Sequence, residues 1–139
     1  MSAATPALNG FDHVHVLVRD RAAALAWYRD VLGFEPVPEL AVWQTGGGPL
    51  TLTDAGGRVH LALFERAPAP QNQSVVALGT DAAGFARWLH HLTRALGHAP
   101  TLEDHDLALS LYFCDPDGNP YEITTYDVTS ARAALPAVH

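Results

Sequence analysis

Apolar and polar positions begin to alternate at Phe11. From there to Val18, Phe11, His13, His15 and Leu17 fall on one side, and Asp12, Val14, Val16 and Val18 on the other. A period of two with this much valine predicts a strand. The Val-rich side is the one expected to pack against a helix, so His13 and His15 should face away from it. Beyond Asp20, an N-cap candidate, the period becomes helical over residues 21–32. Leu25, Tyr28, Val31 and Leu32 share a face there, and Gly33 is the stop. Extended segments are predicted at 36–44, 50–53 and 58–64. They are separated by Thr45-Gly46-Gly47-Gly48-Pro49 and Asp54-Ala55-Gly56-Gly57, both with hairpin chemistry. Residues 67–74, with prolines and glutamines, read as a linker.

The plan then repeats. A strand is predicted at 75–80, an N-cap at Asp81, and a helix over 82–96 with Phe85, Leu89, Leu92 and Leu96 on its apolar side. Gly97 closes it, and extended segments follow at 101–103, 107–113 and 121–126. Each half is β-α-β-β-β, with little sequence shared between the halves. The expected fold is α+β: two βαβββ modules forming a curved, cleft-bearing mixed sheet with helices on the outer face. Module one covers about 11–66 and module two about 74–127 of a single 1–139 domain. The tail, 128–139, is Ala-rich and offers a short helix before Pro136.

Composition narrows the classes. The chain has 139 residues, 48% hydrophobic, with a formal charge of −7. That suits one packed domain and disfavours nucleic acid or an anionic membrane as partner. All eight cationic side chains are arginine, which excludes catalytic-lysine chemistry. Cys114 stands alone, so no internal disulfide is expected, and it reads as a buried inert thiol. The opening MSAATPALNG lacks the basic and apolar regions of a signal peptide, and no apolar run reaches membrane-span length. The expectation is a soluble cytoplasmic protein.

Candidate chemistry gathers on one set of faces. Asp115-Pro116-Asp117-Gly118-Asn119 reads as a tight turn feeding a strand on which Glu122, Thr124 and Tyr126 align. A lone carboxylate beside Tyr121 and Ile123 is costly to bury without a proton, a cation or a metal. His60 shares a strand face with Ala62 and Phe64. Two imidazoles and one carboxylate, His13, His60 and Glu122, are a ligand set for non-haem Fe(II), and also for Zn, Mn, Co or Ni. His15 reads as a pocket-wall donor, and as the substitute ligand if His60 is structural. Glu122 has an ion pair with Arg132 as its plain alternative. His15 and Tyr126 are the candidates for moving protons or donating to substrate. Trp43, Phe64, Tyr112 and Tyr126 read as core or pocket lining; His90, His91, His98 and His105 read as surface residues.

Phe11-Asp12-His13-Val14, then Asp20, then Ala26-Trp27-Tyr28-Arg29-Asp30-Val31-Leu32-Gly33-Phe34, resembles the opening of vicinal oxygen chelate proteins, the glyoxalase, bleomycin-resistance and extradiol-dioxygenase superfamily. Asp115-Pro116-Asp117-Gly118-Asn119 followed by Glu122 resembles the same superfamily near its other end. The resemblance implies paired βαβββ modules, one divalent metal ion in the cleft and a homodimer with sites within one chain or shared between two. It places His13 and Glu122 at ligand positions of the first and last strands, and His60 where glyoxalase I carries a glutamate. The remaining family position falls on Val75 or Ser74, neither a good ligand. The expected function is a metal-dependent enzyme acting on a small substrate that chelates the metal through vicinal oxygens. Dioxygenase-like chemistry with Fe(II) is preferred over isomerase or lyase chemistry. The competing class is a metal-free drug-binding protein of the bleomycin-resistance type.

Overall fold

The structure, a computed structural model, describes residues 5–67 and 72–136. Strand β1 is Val14–Val18. Asp20 ends the loop after it and caps α1, Arg21–Trp27, its carboxylate accepting from the amides of Ala22 and Ala23. The helical period continues to Leu32, but over Tyr28–Leu32 it loosens into π-turn geometry before Gly33 stops it at φ 71°. Strands β2 (Glu35–Pro36), β3 (Leu50–Thr53) and β4 (His60–Glu65) complete the first module. The second repeats it with β5 (Val76–Gly79), α2 (Ala82–Leu96), β6 (Thr101–Asp104), β7 (Leu109–Cys114) and β8 (Pro120–Thr125). The Ala-rich tail forms α3, Val128–Ala134, with Ala131 buried.

Two four-stranded mixed sheets result, in the orders β1-β4-β3-β2 and β5-β8-β7-β6. In each, the first strand pairs parallel with the last and the other pairs are antiparallel. This is the expected βαβββ plan, held as two separate sheets. Two local expectations are corrected. Residues 36–44 are extended only at Pro36; Pro38–Gln44 form a 3-10 helix, with Pro38 at its first position. The glycine run 46–48 therefore joins that helix to β3 and makes no hairpin. Asp54 does turn a hairpin, its Oδ1 accepting from the amides of Arg58 and Val59 at 2.7 and 2.8 Å. Of the expected linker, residues 68–71 lie outside the described residues.

One apolar cluster spans both modules, drawing Val16, Val18, Leu61 and Leu63 from the first sheet and Leu111, Tyr121 and Ile123 from the second. Helix α2 adds Phe85 and Leu92, both fully buried. Embedded in the cluster is a polar clasp. Tyr28 Oη donates to Asp115 Oδ2 at 2.7 Å and accepts from Tyr121 Oη at 2.7 Å. Asn119 Nδ2 reaches both Asp115 Oδ2 and the carbonyl of Leu17 in β1, at 2.8 and 2.9 Å. Asp115 Oδ1 accepts from the amides of Asp117 and Asn119. Burial is the main force lifting the tyrosine hydroxyls far above the ordinary phenol value, and the Asp115 charge adds to it at both.

Candidate functional site

Strand parity sorts each sheet into a packed face and an open one. In β1, Val16 and Val18 are buried while His15 is exposed. The parallel register sets His15 beside Ala62 and Leu17 beside Phe64; continued one residue outward, it sets His13 beside His60. The sequence expectation for this face therefore holds, although His13 stands just before the first strand residue. In β8, Tyr121, Ile123 and Thr125 are buried, and Glu122 and Thr124 stand half-buried on the other side. Ala77 of β5 and Tyr112 of β7 are the register partners of Glu122. Continuing the β5 alternation puts Val75 on the Glu122 face as well, where it is exposed.

The imidazoles form one group. His13 Nδ1 donates to Asp12 Oδ1 at 2.7 Å, and His13 Nε2 lies 3.0 Å from His15 Nε2. With Nδ1 as the donor, neutral His13 keeps its lone pair on Nε2, and His15 supplies the proton between the rings. The His15 ring also packs against Phe64, their centroids 4.7 Å apart. His13 and His15 wall a groove of about 710 Å³ with His60 and Arg58 on one bank and Val75, Val76 and Leu78 on the other. The groove runs between the β1 and β5 strands, the two that end their sheets on this side.

Glu122 lies outside that groove. Its Oε2 accepts from Ser110 Oγ at 2.8 Å, and no ion pair among the described residues includes it. Arg132, its alternative partner from the sequence, is instead bound by Asp104 through contacts of 2.8 to 3.1 Å. Within one chain, no three His, Cys, Asp or Glu side chains among the described residues come together closely enough to hold a metal ion. The structure thus joins His13 to His15 and sets His60 beside them, and leaves Glu122 on the second sheet. Tyr126 follows β8 and is 80% exposed.

Several roles missed in the sequence are visible here. His105 Nε2 contacts Tyr112 Oη at 2.9 Å. Loss of solvent, and then the Glu122 carboxylate, raise the Tyr112 hydroxyl above the ordinary phenol value. His91 lies at the surface as expected, but its Nε2 donates to the Val31 carbonyl at 2.7 Å, tying α2 to the π turn. Trp43 is more than half exposed rather than core, and Cys114 is exposed rather than buried. β7 alternates strongly, so a reading by parity could have placed Tyr112 with Glu122; the His105 contact depends on the β6–β7 turn and has no sequence signal.

A sequence profile of the glyoxalase/bleomycin resistance protein/dioxygenase superfamily matches residues 10–123. The chain belongs to that superfamily, and its two four-stranded mixed sheets with outer helices are the vicinal oxygen chelate fold. Solved structures share the architecture at low identity. The fosfomycin resistance protein FosX from Listeria monocytogenes, in a mutant form with Mn(II) and 1S,2S-dihydroxypropylphosphonic acid, is similar at a TM-score of 0.66 and 15% identity, covering 90% of this chain and 96% of that one. FosX from Mesorhizobium loti gives 0.63 at 17% identity, covering 88% and 97%. A virulence protein from Salmonella typhimurium gives 0.60 at 21%, covering 87% and 99%. No helix among the described residues is long and apolar enough to cross a membrane.

Proposed function

We propose that the protein is a metal-dependent enzyme of this superfamily whose site is shared between two chains. His13 and His60 of one chain and Glu122 of a second hold one divalent cation, and a small substrate binds it through two neighbouring oxygens. The observation that carries the reading is Glu122: a half-buried carboxylate on an open sheet face, with one oxygen held by Ser110 and no ion-pair partner among the described residues. Such a carboxylate suits a cation supplied from outside its own chain. The imidazole side fits too, because Asp12 orients His13 with its Nε2 lone pair facing His15 rather than backbone.

When bound, the cation supplies Lewis-acid polarisation of the chelated substrate oxygens. The chain's own residues do the rest. Asp12 fixes the His13 ring, Leu17 and Val75 give the substrate body apolar walls, and His15 or Tyr126 takes or returns a proton at a substrate oxygen. Two imidazoles and one carboxylate leave positions open, which favours dioxygenase-like chemistry with Fe(II) on a catecholic or enolic substrate. Non-oxidative chemistry with Mn(II) is the second reading, favoured by the Mn(II) and phosphonic acid held in the similar FosX structure.

The test is metal analysis of untagged protein, paired with oxygen-uptake assays against catechols and α-keto compounds. One ion per chain is expected, lost in Glu122→Gln and in His13→Ala. Oxygen consumption selects the dioxygenase reading; turnover without it selects the other. Metal-free protein that binds a cationic glycopeptide instead would replace the enzyme with a drug binder.

A further inference from the structure

Ser110 is fully buried on a strand whose neighbours are Leu109 and Leu111. A hydroxyl there is costly unless its hydrogen bonds are made, so the direction of those bonds is informative. Register places Ser110 opposite Thr124 and Tyr112 opposite Glu122, with all four side chains on the same face of the sheet. Ser110 Oγ lies 2.8 Å from Glu122 Oε2 and 3.0 Å from Thr124 Oγ1; Thr124 Oγ1 lies 3.2 Å from the Leu109 carbonyl. Proton counting orders them. An ionised carboxylate only accepts, so the single Ser110 proton goes to Glu122. Thr124 then donates, shared between Ser110 Oγ and the Leu109 carbonyl. The chain of donors runs Thr124 to Ser110 to Glu122 and ends on Oε2, with the Tyr112 hydroxyl beside the same carboxylate.

We infer that Ser110, backed by Thr124, is a positioning residue that holds Glu122 in one rotamer suited to cation binding. The inference rests on the metal-site reading above and assigns a role to two residues outside the ligand set. Residues that orient a ligand act on affinity, where their loss typically weakens metal binding by about 10–100-fold. They leave the ligand itself in place.

The probe is Mn(II) alone, titrated by electron paramagnetic resonance at fixed pH. Ser110→Ala should bind Mn(II) about 10–100-fold more weakly than the unchanged protein, and Ser110→Thr, which keeps the hydroxyl, should recover most of the loss. Thr124→Val should shift affinity in the same direction by less, and serves if Ser110→Ala folds poorly. A readout free of metal accompanies these: side-chain couplings of 13C-labelled Glu122 should report one rotamer in the unchanged protein and averaging in Ser110→Ala. Unchanged protein that binds Mn(II) while Ser110→Ala binds it equally overturns this inference alone. Unchanged protein that takes up no Mn(II) overturns the metal-site reading and this inference together.

Discussion

Asp115 does more than its position in a turn suggests. Its two oxygens accept from Tyr28, Asn119 and two backbone amides, and it is only 5% exposed. Tyr28→Phe removes a donor to this carboxylate and the acceptor for Tyr121 Oη in one step. It should lower stability by about 1–3 kcal/mol, seen as a lower urea midpoint at unchanged slope. The clasp also sets an alkaline limit. Both tyrosines have hydroxyl pKa values raised by folding, so their contribution is complete below the unfolded value of about 10 and declines above it. Unfolding midpoints should hold to about pH 10 and then fall, by about 1.4 kcal/mol per pH unit for each tyrosine. In Tyr28→Phe that decline should be shallower. The turn chemistry of Asp115–Asn119 was plain in the sequence. Its burial was not, because Tyr28, in the π turn of the first module, reaches it only across the two modules, a contact no periodicity encodes.

Among the elements, α2 was the most legible: a capping Asp81, an unbroken apolar face and Gly97 at φ 80° make the sequence and the helix coincide. Asp81 Oδ1 accepts from the amide of Gly84 at 2.7 Å, so Asp81→Ala should cost about 1 kcal/mol, read as a drop of a few degrees in the melting temperature. Gly84→Ala should act in the same direction, since an added Cβ would fall 2.1 Å from Thr80 Oγ1 and 3.0 Å from the capping oxygen itself. Residues 38–44 were misread for a physical reason. Val42 and Trp43 are exposed, so their hydrophobicity reports no packed face, and pattern reading assumes that it does. The π turn was hidden for the opposite reason: it keeps Tyr28, Val31 and Leu32 buried, so the apolar pattern still looks helical.

At the scale of the molecule, the modules and the open faces were legible, because alternation reports which side of a strand is packed. How far apart His13 and Glu122 lie was not, because that depends on how two sheets sit in space. If the site is shared as proposed, it can be rebuilt from defective parts. His13→Ala and Glu122→Gln should each be inactive, yet random mixing of the refolded chains should restore about a quarter of the unmutated sites, each heterodimer having one intact. Light scattering should give twice the 14.9 kDa chain mass. Sites built within single chains would instead show no recovery on mixing. The clasp bears on a different operation, cutting. Severing the backbone within 68–71 would give one piece carrying the Tyr28 hydroxyl and another carrying Asp115, Asn119 and Tyr121. Each fragment alone would expose its half of the apolar cluster around the clasp, so the two should be insoluble apart and reassemble when refolded together. Two modules built on one plan would thus be a pair that only fit each other.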